Sequence, residues 1–203
     1  RYLGGEIGVT MVLHTWGQQM QYHVHVHCII SGGALVDGVE GYRWQKAKET
    51  FLFPVKELSA TFRERFCDRM RKLVKAGKVV EPKEGLDLLG LIERAQQQAW
   101  EVYLERPFSG VEKLLDYLGR YIFRVAIGNY RIESMSEGKV CFRYQDNRDE
   151  GKQKVLELEG VEFIRRHLEH VLPKGFVRVR QLGLHHSSCR KKLAIARVLL
   201  GES

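Results

Sequence analysis

The sequence predicts an α+β fold, a mainly antiparallel central sheet flanked by helices. Three observations predict it. Residues 22–31 (YHVHVHCIIS) alternate strictly, the period of a half-buried strand. Within residues 56–76, Leu58, Phe62, Phe66, Met70 and Leu73 recur at helical spacings of three or four. Strands and helices then mix without the steady β-α-β rhythm of a parallel sheet. A composition of 44% hydrophobic and 29% charged residues over 203 positions supports a packed core and excludes a disordered chain. No run of roughly 18 apolar residues occurs, so no membrane span is expected.

Each element has its own signal. Residues 7–15 (IGVTMVLHT) are β-branched and apolar and read as the first strand. Residues 17–21 form a polar turn into the second strand, which Gly32 and Gly33 end. A weaker strand or loop follows around residues 35–44. Helices are expected over 56–76 and 86–104, the second with Leu89, Ile92, Trp100 and Tyr103 and broken by Pro107. Ser109 stands three residues before Glu112, a capping-box spacing that opens a helix running to about Val125. Residues 139–144 and 154–158 read as a hairpin around a charged turn at 147–151. Residues 160–172 are a helix stopped by Pro173 and Gly175, residues 176–182 a strand, and residues 189–200 a basic helix. The expected division is one domain over 1–182 and a basic C-terminal helix or tail over 183–203. The chain opens on Arg1 without a signal-peptide pattern and reads as a fragment of a longer protein.

The formal net charge of +8 is unevenly spread. Residues 1–50 are neutral, whereas residues 151–203 carry +6. Between Glu169 and Glu202 no acidic residue occurs, yet Lys174, Arg178, Arg180, Arg190, Lys191, Lys192 and Arg197 do. Such a stretch attracts phosphates, and nucleic acid is the commonest anionic partner; a solvated face is the plainer alternative. Cys28, Cys67, Cys141 and Cys189 form no C-x-x-C pair, which argues against a zinc ribbon or redox motif. Reduced thiols of a cytoplasmic protein are the expectation.

Four of the eight histidines lie within residues 14–27. Strand periodicity places His23, His25 and His27 on one face of the second strand, with Tyr22, Val24, Val26, Cys28 and Ile30 facing a core. A hairpin turn at 17–21 brings His14 close to His25 across the ladder. Two imidazoles at i and i+2 present two neutral nitrogens to one ion. A third ligand from the neighbouring strand would still leave coordination positions open for a substrate. His14 and Gln18 are rival third ligands, and a polar sheet face holding no ion is the bland alternative.

The capped helix carries Val111, Leu114, Leu115, Leu118, Ile122 and Val125 on one arc, expected to be its core face. Lys113, Tyr117, Arg120, Tyr121 and Arg124 fall on the adjoining arc. Tyr117 and Tyr121, at i and i+4, sit one above the other among cations. A phenol is a poor nucleophile at its free pKa of roughly 10, so an ion and arginines would be needed to stabilise the developing charge. Taken alone, two amphipathic tyrosines at a helix edge are the plainer reading.

Together these features resemble the two-tyrosine HUH-superfamily transposases of bacterial rolling-circle insertion sequences. His25-Val26-His27 looks like the histidine–hydrophobic–histidine motif, and Tyr117-Leu118-Gly119-Arg120-Tyr121 like the paired-tyrosine helix. Further stretches are similar in the same order: Leu13 to Gln18, Phe51 to Lys56, Arg124 to Ile127, and His170 to Phe176. The resemblance implies an HUH nuclease-like sheet with the histidines on a central strand. It implies a Mg²⁺ or Mn²⁺ ion held by His25 and His27. It also implies cleavage of single-stranded DNA at transposon ends and target through a 5′-phosphotyrosine bond. Tyr117 would act first and Tyr121 second. Arg120, Arg124, Lys174, Arg178, Arg180, Arg190, Lys191 and Lys192 would hold the DNA backbone. Such a protein is expected in the bacterial cytoplasm, associated with the nucleoid. The family's cysteine-rich amino-terminal module does not occur in this sequence.

Three other readings compete. A replication initiator or relaxase shares the histidine motif, but the surrounding stretches look like the transposases. A non-catalytic DNA-binding transposase remnant would not need both tyrosines. A metallohydrolase would need acidic ligands near the histidines, and residues 7–36 contain none.

Overall fold

The fold is that of a computed structural model, which describes residues 3–48, 53–79, 81, 84–108, 110–121 and 126–201, with the backbone alone at 120 and 121. Its strands pair antiparallel and its helices stand between them in sequence, so it is α+β. The chain divides into two units, residues 47–107 and the segments on either side of them.

The larger unit begins with β1 (Gly8–Trp16) and β2 (Tyr22–Ile30), joined as the sequence predicts. In their register His14 lies opposite His25 and Val12 opposite His27. β8 (Val179–Gly183) pairs with the other edge of β1, giving the order β2-β1-β8. It starts later than predicted, because the turn in which the Phe176 N–H donates to the Pro173 carbonyl occupies the preceding residues. β3 (Gly33–Gly38) and β4 (Gly41–Lys46) form a hairpin where a weak strand or loop was expected. Glu6 bonds Leu35 in both directions at 2.9 Å and ties this hairpin to the segment before β1.

After α3 (Val111–Tyr121) comes a second sheet of β5 (Ile132–Ser136), β6 (Lys139–Asp146) and β7 (Lys152–Glu159). β6 and β7 are the predicted hairpin, while β5 has too few apolar residues to be read from sequence. α4 (Gly160–Leu168) ends four residues short of the prediction, since His170 turns away from the helix to bond elsewhere. α5 (Arg190–Leu199) is the basic helix expected at the end.

Two apolar clusters organise this unit. Met20, from the β1–β2 turn, packs with Ile127 and Phe142, with Leu156, Leu158 and Phe163 around them. Leu35, Leu184 and Ala196 pack with Tyr42, Trp44 and Ile195. The last stretch of the chain is therefore docked on the β3–β4 hairpin rather than a loose tail. Neither cluster includes a residue of β2, which among the described residues is an edge strand. Its expected core face is open instead: Tyr22, Val24, Val26 and Cys28 are all exposed.

The smaller unit holds α1 (Val55–Lys75) and α2 (Leu88–Gln97). α2 is shorter than the predicted 86–104. Trp100 leaves the helix to pack its indole on Phe62 and Phe66, with ring centroids at 5.3 and 5.2 Å. Ser59 Oγ donates to the Trp100 carbonyl and Arg63 to that of Gln98, which fixes the departing chain. Among the described residues no helix is long and apolar enough to cross a membrane.

Candidate metal centre and tyrosine helix

The site is built on the β1–β2 hairpin. Directly opposed residues of an antiparallel pair share a face. His14, His25 and His27 therefore project together, and one ligand nitrogen from each lies within 4.8 Å of the others. The ring centroids are 5.4 Å apart for His14 and His25, 4.6 Å for His14 and His27, and 4.9 Å for His25 and His27. His23 stands on the same face, 5.0 Å from His25. Gln18, the rival ligand, is exposed in the turn.

Hydrogen bonds orient the imidazoles. His25 Nδ1 donates to the His23 carbonyl at 2.9 Å, which leaves the lone pair on Nε2. His27 Nδ1 is 3.0 Å from the phenol oxygen of Tyr117. Burial lowers the pKa of His25, only partly opposed by its bond to the His23 carbonyl. Burial, reinforced by His14 and His25, lowers that of His27 to about 4. Both rings are thus neutral near pH 7 and keep a lone pair for a cation. Three imidazole nitrogens gathered on one face are a donor set that could hold one cation.

His14 is buried, at 3% exposure, and held by stacking. Trp16 lies on it with centroids 4.5 Å apart at 18°, and Arg178 sits over Trp16 at 5.9 Å. The turn itself is clamped at three successive carbonyls. Arg131 donates to that of Gln18, Arg166 to that of Gln19 at 3.0 Å, and His170 Nε2 to that of Met20 at 3.0 Å. Because Nε2 of His170 must donate, its Nδ1 accepts from Thr15 Oγ1 at 3.2 Å. Sequence reasoning assigned no role to Trp16, Arg131, Arg166 or His170. The only signal was that Trp16 and His170 fall in stretches similar to the transposase family.

α3 delivers Tyr117, and only part of the predicted core face turns inward. Val111 and Leu115 are exposed, while Leu114, Tyr117 and Leu118 are half-buried, so the inward stripe runs through Tyr117. Phe108 packs on the phenol at 5.3 Å. Tyr121 follows one turn later along the same helix. Ser109, Ile122, Arg124 and Val125 lie outside the described residues, as do the side chains of Arg120 and Tyr121.

The remaining basic candidates are dispersed. Lys174 is exposed in the turn before β8, and Arg190 and Lys191 are exposed on the first turn of α5. Lys192 is ion-paired to Glu6 at 2.6 Å. Arg180 lies opposite Met11, which places it on the sheet face away from the histidines.

Three imidazoles on paired strands, with a helix-borne phenol hydrogen-bonded to one of them, define an α+β domain whose residues could hold a cation beside a tyrosine. The family model Y2_Tnp, described as "Putative transposase", matches residues 8–192. The chain belongs to this transposase family. It is 42% identical to "Putative transposase y4qJ" of Sinorhizobium fredii over all of its length and 52% of that protein. It is 27% identical to "Transposase for insertion sequence element IS801" of Pseudomonas savastanoi pv. phaseolicola, over 89% of this chain and 43% of that one. The chain thus spans about half the length of these relatives. No solved structure matches it.

Proposed function

We propose that the chain is the HUH-type catalytic portion of a rolling-circle transposase, a metal-dependent endonuclease and strand transferase acting on single-stranded transposon ends and target DNA. The observation that carries this reading is the 3.0 Å contact between His27 and Tyr117, across the edge of the three-imidazole cluster. His14, His25 and His27 would hold a divalent ion, Mg²⁺ or Mn²⁺. His14 is preferred to Gln18 because it shares the face and the cluster. The bound ion would polarise the scissile phosphate.

The chain's own groups supply the rest. With the His27 lone pair on Nε2, its Nδ1–H donates to the Tyr117 oxygen and favours the phenolate. Tyr117 gives up its phenolic proton to water, its oxygen attacks phosphorus, the bond from phosphorus to the 3′ oxygen breaks, and the leaving oxygen takes up a proton from water. The products are a 5′-phosphotyrosine and a free 3′-hydroxyl. The ester keeps the energy of the broken bond for rejoining, and Tyr121, one turn away, would serve the second transfer. Imidazole ligands are commoner for later transition metals. Mn²⁺ is therefore the first ion to try, with Mg²⁺ beside it.

The test is incubation with a 3′-labelled single-stranded oligonucleotide carrying the element's own end. A covalent adduct that needs Mn²⁺, and that disappears with EDTA and in Tyr117→Phe, is expected. An adduct that persists in the Tyr117→Phe/Tyr121→Phe protein would overturn the tyrosine mechanism.

A further inference from the structure

A cleft of about 420 Å³ opens between the end of β2, β4 and α5, all within the larger unit. This is the size range of small-molecule sites. Leu184, Leu193 and Leu200 give it apolar walls, and the Trp44 indole forms a flat aromatic side. The Gly33 backbone underlies that ring so closely that an added Cβ would come within 2.6 Å of Trp44 Cε2. His185 and Arg197 are its ring-nitrogen and cationic members, and among the described residues no acidic side chain lines it. Arg190 and Lys191 lie exposed at the start of the same helix, in a stretch free of acids from residue 170 to 201.

The position of the cleft relates it to the histidines. Ser31 lines it, and residues 27, 29 and 31 share a face by strand alternation. Ser31 extends the β1–β2 ladder, its N–H donating to the Gly8 carbonyl at 2.9 Å. Four residues of strand place the cleft roughly 13 Å from His27. A flat apolar wall with a guanidinium at its edge suits a planar heterocycle attached to a phosphate.

We infer that this cleft binds one unstacked nucleobase of the single strand processed at Tyr117, a few nucleotides from the scissile phosphate. The inference rests on the DNA-cleaving reading and adds a base-binding subsite to it. Trp44 stacks on the base, and Arg197 meets the adjoining phosphate. A paired base cannot enter, so the cleft favours unpaired DNA over duplex.

The experiment measures binding of a fluorescein-labelled oligothymidine to the full chain by anisotropy, in EDTA so that no cleavage intervenes. Loss of one base–aromatic stack predicts that Trp44→Ala weakens binding roughly tenfold, and that Trp44→Phe retains most of it. Gly32→Trp keeps the test decisive if Trp44→Ala fails to fold. Gly32 lines the cleft, and a Cβ added there meets nothing within 4 Å. It too should weaken binding, while an oligonucleotide with abasic sites should bind parent and folded variants alike. If Gly32→Trp and folded Trp44→Ala bind oligothymidine within about twofold of the parent, the inference is overturned. It is also overturned if the parent does not bind oligothymidine. Adduct formation is scored separately. A parent that binds through the cleft but forms no adduct removes the tyrosine chemistry alone, and one that forms adduct while the cleft variants bind normally removes the cleft alone.

Discussion

Replacing His170 by phenylalanine should loosen the hairpin that carries the histidine cluster. The substitution keeps an aromatic ring beside Trp16 and Tyr22, whose centroids lie 6.0 and 6.3 Å from that of His170. It removes the donor to the Met20 carbonyl and the acceptor for Thr15 Oγ1. Met20 and Thr15 are buried, at 0% and 6% exposure, so water cannot readily replace the lost partner. A buried polar group left unsatisfied costs about 1–3 kcal/mol, and two such groups give an expected loss of about 3 kcal/mol. Thr15→Val removes only one of the bonds and should cost about 1 kcal/mol. The double variant should cost less than the sum, because the Thr15–His170 bond can be lost only once. Urea unfolding followed by Trp16 fluorescence, with Trp44 and Trp100 replaced by phenylalanine, reports on this hairpin. A His170→Phe protein within about 0.5 kcal/mol of its parent at unchanged m would refute the reasoning.

Other perturbations test separate links. His14→Ala should weaken Mn²⁺ binding more than tenfold by calorimetric titration, and Gln18→Ala should leave it unchanged; the reverse pattern makes Gln18 the third ligand. Gly183→Ala should cost at least about 2 kcal/mol, because the backbone is left-handed at φ +56° and the new Cβ would lie 1.9 Å from the Ile7 carbonyl oxygen. Thermal melting checks it, and an unchanged midpoint counts against the close approach. Hydrogen bonds from Arg165 and Arg166 lower the pKa of Glu162 to about 2. Since its folded pKa is depressed, its support of α4 is present above its unfolded pKa of roughly 4.3 and fades as pH falls toward 2. Glu162→Gln should flatten the pH dependence of unfolding over that window, and an unaltered profile would show that the pairs contribute nothing.

The parts of the site that follow from local periodicity were legible in the sequence. Alternation placed His25 and His27 on one face, and a short turn put His14 opposite His25. Helical spacing found α1 and α3. What sequence could not supply was which face meets what. On α3 the apolar arc suggested that Val111 and Leu115 go inward with Leu114 and Leu118, yet Val111 and Leu115 are exposed and the half-buried stripe takes in Tyr117 instead. On β2 the valines looked like core, but both packed clusters lie elsewhere and leave Val24 and Val26 in solvent. The clamp on the turn was also hidden. Its three donors stand 113, 147 and 150 residues from the carbonyls they meet. No local pattern encodes contacts at that range. The end of α2 failed for a related reason, since Trp100 fits a helical period but is captured by Phe62 and Phe66.

The larger unit is interrupted between residues 46 and 108, and the two segments are woven together. β8 pairs with β1, Leu184 and Ala196 pack on Leu35, and Lys192 reaches Glu6. All three imidazoles of the cluster belong to the first segment, and Tyr117 belongs to the second. A chain severed within residues 47–107 would therefore yield two complementary fragments, one with the three imidazoles and the other with Tyr117. Their docking surfaces are already those of a split protein. The proposed strand cutting could then be placed under the control of any pair of tethers that brings the fragments together.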